Sequence, residues 1–381
     1  MSRAHALLSA SGARRWMNCP PSARLCEQYA DKGSEYAAQG TDAHSLCEYK
    51  LRQMLGNENP EDPRPNLSYY DEEMEAAAEQ YAIFVMELLS DAKKDCKDPR
   101  VMVEQRLDYS RWVDEGFGTT DAIVIGANTV NVCDFKYGQG VQVDAEENPQ
   151  MMLYALGALE IFDDLFSIDT ITMTIIQPRR EHISTWSISK ADLLTWAEET
   201  LRPAAELAYS GEGAFHSGAW CQFCKAKYEC RARAEEQMNL MRYDFQLPPT
   251  LTDEDVEEIL GHVDQLVSWA EDVKDYALKS AIGGKHWNNF KLVEGRSNRR
   301  YTNEDAVSEA VKAAGFDPCD HKLKGVTAMT GMLGRKRFEE LLGGLIEKPQ
   351  GKPTLVPLSD KRPALDYTDF EDEKRGHATR D

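Results

Sequence analysis

Two short runs rich in β-branched residues, Ala122-Ile-Val-Ile125 and Val130-Asn-Val-Cys133, flank Gly126-Ala-Asn-Thr129. A loop of that length between strand-forming runs predicts a β-hairpin. The constraint is tight, because a one-residue slip would turn every side chain to the opposite face. If Ile125 pairs with Val130, the ladder sets Asp121 opposite Asp134, with Cβ atoms roughly 4.5–5.5 Å apart. Lys136 lies two residues beyond Asp134 and shares its face. Facing carboxylates raise each other's proton affinity unless a cation separates them. The hairpin therefore reads either as a solvated end with Lys136 as counter-ion, or as a Mg²⁺ or Mn²⁺ site with positions open to water and phosphate.

The flanks supply further polar groups. Residues 101–107 form a strand pattern in which Glu104 alternates with apolar neighbours and shares the aspartates' sheet surface. Asn148-Pro149 is a helix start, with Asn as cap and Pro at the first helical position. Gln150 and Tyr154 then fall four apart on one helix face. Upstream, Thr41 of Gly40-Thr-Asp-Ala-His44 reads as an N-cap, which puts His44 in the first turn of the following helix. A long helix is expected over 71–94, strands over 169–177 and 183–188, and a helix over 190–209 interrupted at Pro203.

Cysteines are unevenly spread among the nine present. Cys19 ends a helical segment at Cys19-Pro20-Pro21, where a residue before proline leaves the helical region. Cys221-x2-Cys224-x5-Cys230 groups three thiols, a pattern of metal binding rather than of a disulfide framework. Zn²⁺ and iron–sulfur clusters both accept four thiolates. Cys19, Cys26, Cys47, Cys133 and His216 are the candidates for the fourth ligand.

The net charge of −21 opposes broad attraction to nucleic acid but leaves room for a local basic path. Such a path is suggested by Lys285, Lys291, Arg296, Arg299 and Arg300, interleaved with His286, Trp287, Phe290 and Tyr301. No apolar run approaches the roughly 20 residues that span a bilayer, and the first residues lack a signal-peptide pattern. A cytoplasmic protein is expected.

Taken in order, Gly40-Thr-x-x-His44, Gly118-x-x-Asp121, Asp134-x-Lys136 and Gln150-x-x-x-Tyr154 resemble the motifs of the PD-(D/E)XK nuclease superfamily, in its RecB-like exonuclease branch. One cysteine before that core and three after it resemble the iron–sulfur members, such as the AddB nuclease domain and the CRISPR-associated RecB-like exonucleases. The chain is also similar to uncharacterised phage and prophage proteins that share an ending like Gly351-Lys-Pro-Thr-Leu-Val-Pro and Asp360-Lys-Arg-Pro363.

The resemblance implies an α/β (α+β) restriction-endonuclease-like core, a central mixed sheet flanked by helices. The expected nuclease domain is 1–240, followed by a mainly helical extension over 241–365 and a disordered tail over 366–381. It implies a Mg²⁺- or Mn²⁺-dependent deoxyribonuclease, expected to be an exonuclease on linear ends in phage recombination or replication within a bacterial host cell. His44, Asp121, Asp134 and the Phe135 carbonyl would bind the ions, with Glu104 a further candidate. Lys136 would act on water and phosphate, positioned by Gln150 and Tyr154. Cys19 becomes the fourth ligand of a [4Fe-4S] cluster, with structural Zn²⁺ the alternative. DNA, a single-strand annealing protein and a second copy are the implied partners. The competing expectation is a catalytically weak DNA-binding accessory protein.

Overall fold

The β-branched runs pair as their alternation dictates. In the computed structural model, which describes residues 6–30, 33–56, 60–239, 251–293, 304–313, 329 and 335–346, Ile125 lies opposite Val130 and Ala122 opposite Cys133. These residues belong to β2 (Phe117–Ile125) and β3 (Thr129–Phe135), joined by a turn in which Gly126 N–H donates to the Thr129 carbonyl at 2.9 Å. β1 (Arg100–Asp108) adds antiparallel to β2. β4 (Thr170–Gln177) lies parallel to β3, and β5 (His182–Ser189) antiparallel to β4. The result is an α+β fold around a five-stranded mixed sheet in the order β1-β2-β3-β4-β5.

A parallel pair needs a crossover, and α5 (Pro149–Phe166) supplies it. Its start is the one expected: the Asn148 side chain accepts from Gln150 N–H at 3.0 Å, and Pro149 sits where no N–H is required. Gly157 lets α5 approach β1, since a Cβ there would lie 2.7 Å from Leu107 Cβ.

Helices cover both sheet faces, which is why β2 and β3 read as nearly continuous apolar runs. On one face α5, α1 (Ala13–Asn18), α6 (Lys190–Trp196) and α7 (Arg202–Ser210) bury Ile123, Ile125, Val130, Val132 and Met173. On the other, α3 (Glu35–Leu55) and α4 (Glu72–Asp95) bury Ala122, Val124, Cys133 and Phe135. The Val, Ile, Met and Phe side chains among them contribute about 1.5–3 kcal/mol each on full burial. α2 (Ser22–Glu27) is tied to α1 by Arg15, whose Nη1 donates to the Ser22 carbonyl and hydroxyl, both at 2.8 Å.

Three expectations are corrected. α3 begins at Glu35 with Ser34 as its cap, so Thr41 lies inside the helix, where its hydroxyl donates to the Ala37 carbonyl. His44 is therefore an interior residue of α3 rather than a first-turn one. The break in the 190–209 helix is a wide π turn over Ala197–Leu201, just before Pro203.

The third concerns the domain boundary. α9 (Asp253–Ile282) opens with a capping box of Thr252 and Asp255 and packs against α8 (Arg231–Met238). Contacts divide the chain into compact units of Met1–Gly283 and Gly284–Asp381, so α9 belongs with the first unit and the boundary expected at 240 moves beyond it. In the second unit, helices cover Glu304–Ala313 and Arg335–Leu342. The expected tail, and the shared ending over 351–363, lie outside the described residues. Among those that are described, no helix is long and apolar enough to cross a membrane.

Candidate functional site

The ladder between β2 and β3 stops at Ala122 and Cys133, with Asp121 and Asp134 the residues just beyond that last pair. Here a side chain replaces the backbone partner. Asp121 Oδ2 accepts the Phe135 N–H at 2.6 Å. Its Oδ1 lies 2.7 Å from His44 Nδ1, reaching in from α3. Burial alone would raise Asp121, but His44 and the Phe135 N–H outweigh it and hold the carboxyl below its ordinary range. His44 answers in kind: burial pushes it down, and the aspartate beside it carries it above the usual imidazole value.

β1 brings a third carboxylate. Its pairs with β2 run through Val103–Ala122 and Gln105–Thr120, while Glu104 between them adopts φ 53°, a left-handed conformation. For a non-glycine residue this costs on the order of 1–3 kcal/mol, and such strain concentrates where function requires it. Ligand atoms of His44, Glu104 and Asp121 all lie within 4.8 Å of one another. Burial, and then Asp121, push the Glu104 carboxyl up to about 7. A convergence of one imidazole and two carboxylates suits a hard divalent cation.

Asp134 stands apart from that trio. Its Oδ1 accepts from Gln150 Nε2 at 3.1 Å, and Lys136 Nζ lies 2.8 Å from its Oδ2. The buried Oδ2 is thus engaged by the Lys136 ammonium. Burial and the neighbouring Asp121 raise Asp134, so the two aspartates are driven in opposite directions. Gln150 Oε1 accepts from Lys136 Nζ at 3.3 Å, and its Nε2 also lies 3.2 Å from the Tyr154 hydroxyl. Gly118 makes room for that ring: a Cβ there would sit 2.8 Å from Tyr154 Cε1. Phe135 joins the site through its N–H, which donates to Asp121.

The thiols gather elsewhere. Cys19, Cys221, Cys224 and Cys230 line one pocket with Arg15 and Arg233. Cys19 caps α1 before Pro20, and the 219–230 segment folds as successive turns, with Cys224 N–H donating to the Cys221 carbonyl at 3.0 Å. Burial raises the Cys19 thiol, opposed by backbone hydrogen bonds from His216 and Ser22. Of the other candidate ligands, Cys47 and Cys133 belong to the core beneath α3 and α4. Cys26 lies beside Cys224, Sγ to Sγ 3.7 Å. No three thiols among the described residues fall within 4.8 Å of one another.

The expected basic path is only partly described. Lys285 is exposed, with its Nζ 4.3 Å from the centroid of the Trp287 ring, and Lys291 is exposed. Arg296, Arg299 and Arg300 lie outside the described residues.

A family model described as "Protein of unknown function (DUF2800)" matches residues 5–363. A solved structure titled "Crystal structure of SSO0001" is similar over 51% of this chain and 98% of its own, with 20% identity and a TM-score of 0.23. A score that low carries no weight for fold or function.

Proposed function

The chain belongs to the DUF2800 family, and we propose that it is a metal-dependent deoxyribonuclease of the PD-(D/E)XK, RecB-like kind, acting on the ends of linear DNA in the bacterial cytoplasm. The observation that carries this reading is the meeting of two constellations at one end of the sheet. His44, Glu104 and Asp121 converge as ligands, and Asp134, Lys136 and Gln150 form a bonded set across the β3 exit.

His44, Glu104, Asp121 and Asp134 would hold Mg²⁺ or Mn²⁺. A divalent ion there supplies an acidified water and charge neutralisation at the phosphate. The chain's own groups do the rest. Lys136 is kept charged by Asp134, so it donates to a phosphate oxygen or the attacking oxygen rather than removing a proton. Gln150 fixes both partners of the ion pair, and Tyr154 fixes Gln150. Cys19, Cys221, Cys224 and Cys230 would hold a [4Fe-4S] cluster whose role is structural, joining α1 to the segment after α7.

Incubation with end-labelled linear single- and double-stranded DNA tests the reading. Cation-dependent loss of label by the wild type, abolished by EDTA and by Asp121→Ala, is expected. DNA binding without cleavage under every condition would assign an accessory role instead. Absorbance of anaerobically purified protein separates an iron–sulfur cluster from zinc.

A further inference from the structure

A fifth thiol lies beside the four of the cysteine pocket. Cys26 is absent from its lining, yet its Sγ lies 3.7 Å from that of Cys224, across 198 residues of sequence. Cys26 is buried on α2, whereas Cys224 is partly exposed and open to small oxidants. A disulfide needs sulfurs about 2.05 Å apart, within reach of modest side-chain rotation from this starting point.

We propose that Cys26 and Cys224 form a reversible redox pair: when Cys224 is not engaged by the cluster, a peroxide converts the two thiols to a disulfide. The inference rests on the reading of Cys224 as a cluster ligand. One thiolate attacks the peroxide O–O bond and becomes a sulfenic acid, releasing one water. The second thiol displaces the remaining oxygen as a second water, and the Sγ–Sγ bond forms. Two thiols lose two electrons and two protons, and the peroxide takes both. A small dithiol reverses the step by exchange. The bond ties α2 to the 219–230 turns, next to the α1 end that Cys19 would tie there through the cluster, so the chain stays tethered after cluster loss. It also withholds one ligand until reduced. Cys224 is thereby protected from irreversible oxidation.

The test uses the full-length chain, stripped of metal anaerobically, exposed to a slight excess of hydrogen peroxide, and mapped by non-reducing peptide mass spectrometry. The expected product is a Cys26–Cys224 peptide pair lighter by two hydrogens, which dithiothreitol dissolves with full recovery of iron loading. Cys26→Ser should load iron as the wild type does, but after peroxide and dithiothreitol it should reload several-fold less. Pairing of Cys224 with Cys19, Cys221 or Cys230, or no pairing at all, overturns the proposal. So does loss of iron in Cys26→Ser, which would make Cys26 a ligand. If the wild type carries no iron, the cluster reading fails by itself, and the mass map still decides the pair.

Discussion

Lys136 Nζ lies 2.8 Å from Asp134 Oδ2 where β3 ends, and Gln150 closes the pair from α5. Burial pushes the lysine down, but the carboxylate outweighs it and holds the ammonium above the ordinary lysine value. A group held charged is a donor, not a base. Lys136→Met should therefore slow cleavage about 10²–10³-fold, the usual loss for one donor to developing charge. Mn²⁺ binding measured by calorimetry should persist, because His44, Glu104 and Asp121 are untouched. Wild-type cleavage by this variant would place the critical charge elsewhere.

Under the proposed function, Glu104 would make ion binding pH-dependent. Its carboxyl is pushed up to about 7, first by burial and then by Asp121. A ligand must be ionised, so an arriving cation displaces the proton. Below about pH 7 the affinity should rise about tenfold per pH unit, since one proton is exchanged per ion, and it should flatten above. The stability of the metal-free protein runs the other way. The folded form holds this proton more tightly than the unfolded chain does. Its contribution is present below the unfolded carboxyl value and is lost as pH climbs through about 7. Mn²⁺ titrations in buffers of differing ionisation heat check this by counting protons released. Glu104→Gln should bind more weakly and lose the slope. A slope unchanged in that variant would move the titrating group to another residue.

The motif glycine at 118 has a steric reason that suggests a third experiment. A methyl at that position would meet Tyr154 Cε1 at 2.8 Å. The ring is buried in the core beneath α5, with its hydroxyl 3.2 Å from Gln150 Nε2. Gly118→Ala should cost about 1–3 kcal/mol in urea denaturation, typical of overpacking. Cleavage should fall further than stability alone accounts for, because displacing Tyr154 frees Gln150 from both Asp134 and Lys136. Equal turnover per folded molecule in mutant and wild type would count against a positioning role for Tyr154.

What the sequence made legible was local. Loop length and alternation placed Ile125 opposite Val130, as the ladder has it, and so set Asp121 and Asp134 just beyond its last pair. Asn148 and Pro149 marked the α5 start because capping chemistry is written in adjacent residues. Thr41 misled because Gly40 reads as a break; the helix runs through it, and Ser34 provides the cap instead. The weight of Glu104 was hidden, since its left-handed backbone leaves no trace in periodicity and its partners are in other elements. Cys26 was one of five candidate ligands, and nothing in the sequence set it beside Cys224, to which folding brings it at 3.7 Å across 198 residues.

The attachment of α9 was equally invisible, and it yields the last prediction. Asp272 bridges two cations, with Oδ2 2.6 Å from Arg233 Nη1 and Oδ1 2.6 Å from Lys227 Nζ. Tyr276 adds a stack on Tyr228, with ring centroids 4.5 Å apart. Both Lys227 and Tyr228 lie between Cys224 and Cys230, so α9 is fastened to the thiol segment itself. Asp272→Ala strands the buried Arg233 guanidinium, a loss that costs about 3–5 kcal/mol when such a pair is fully buried. The partial exposure of Lys227 and Asp272 sets the expected loss at the lower end of that range. Hydrogen exchange should show α9 amides losing protection while β2 and β3 keep theirs, because the sheet core makes no use of this contact. Asp272→Asn, which can still accept from Arg233, should recover part of the protection. Unchanged exchange in Asp272→Ala would assign the anchoring to the tyrosine stack, and Tyr276→Ala would then be the variant that releases the helix.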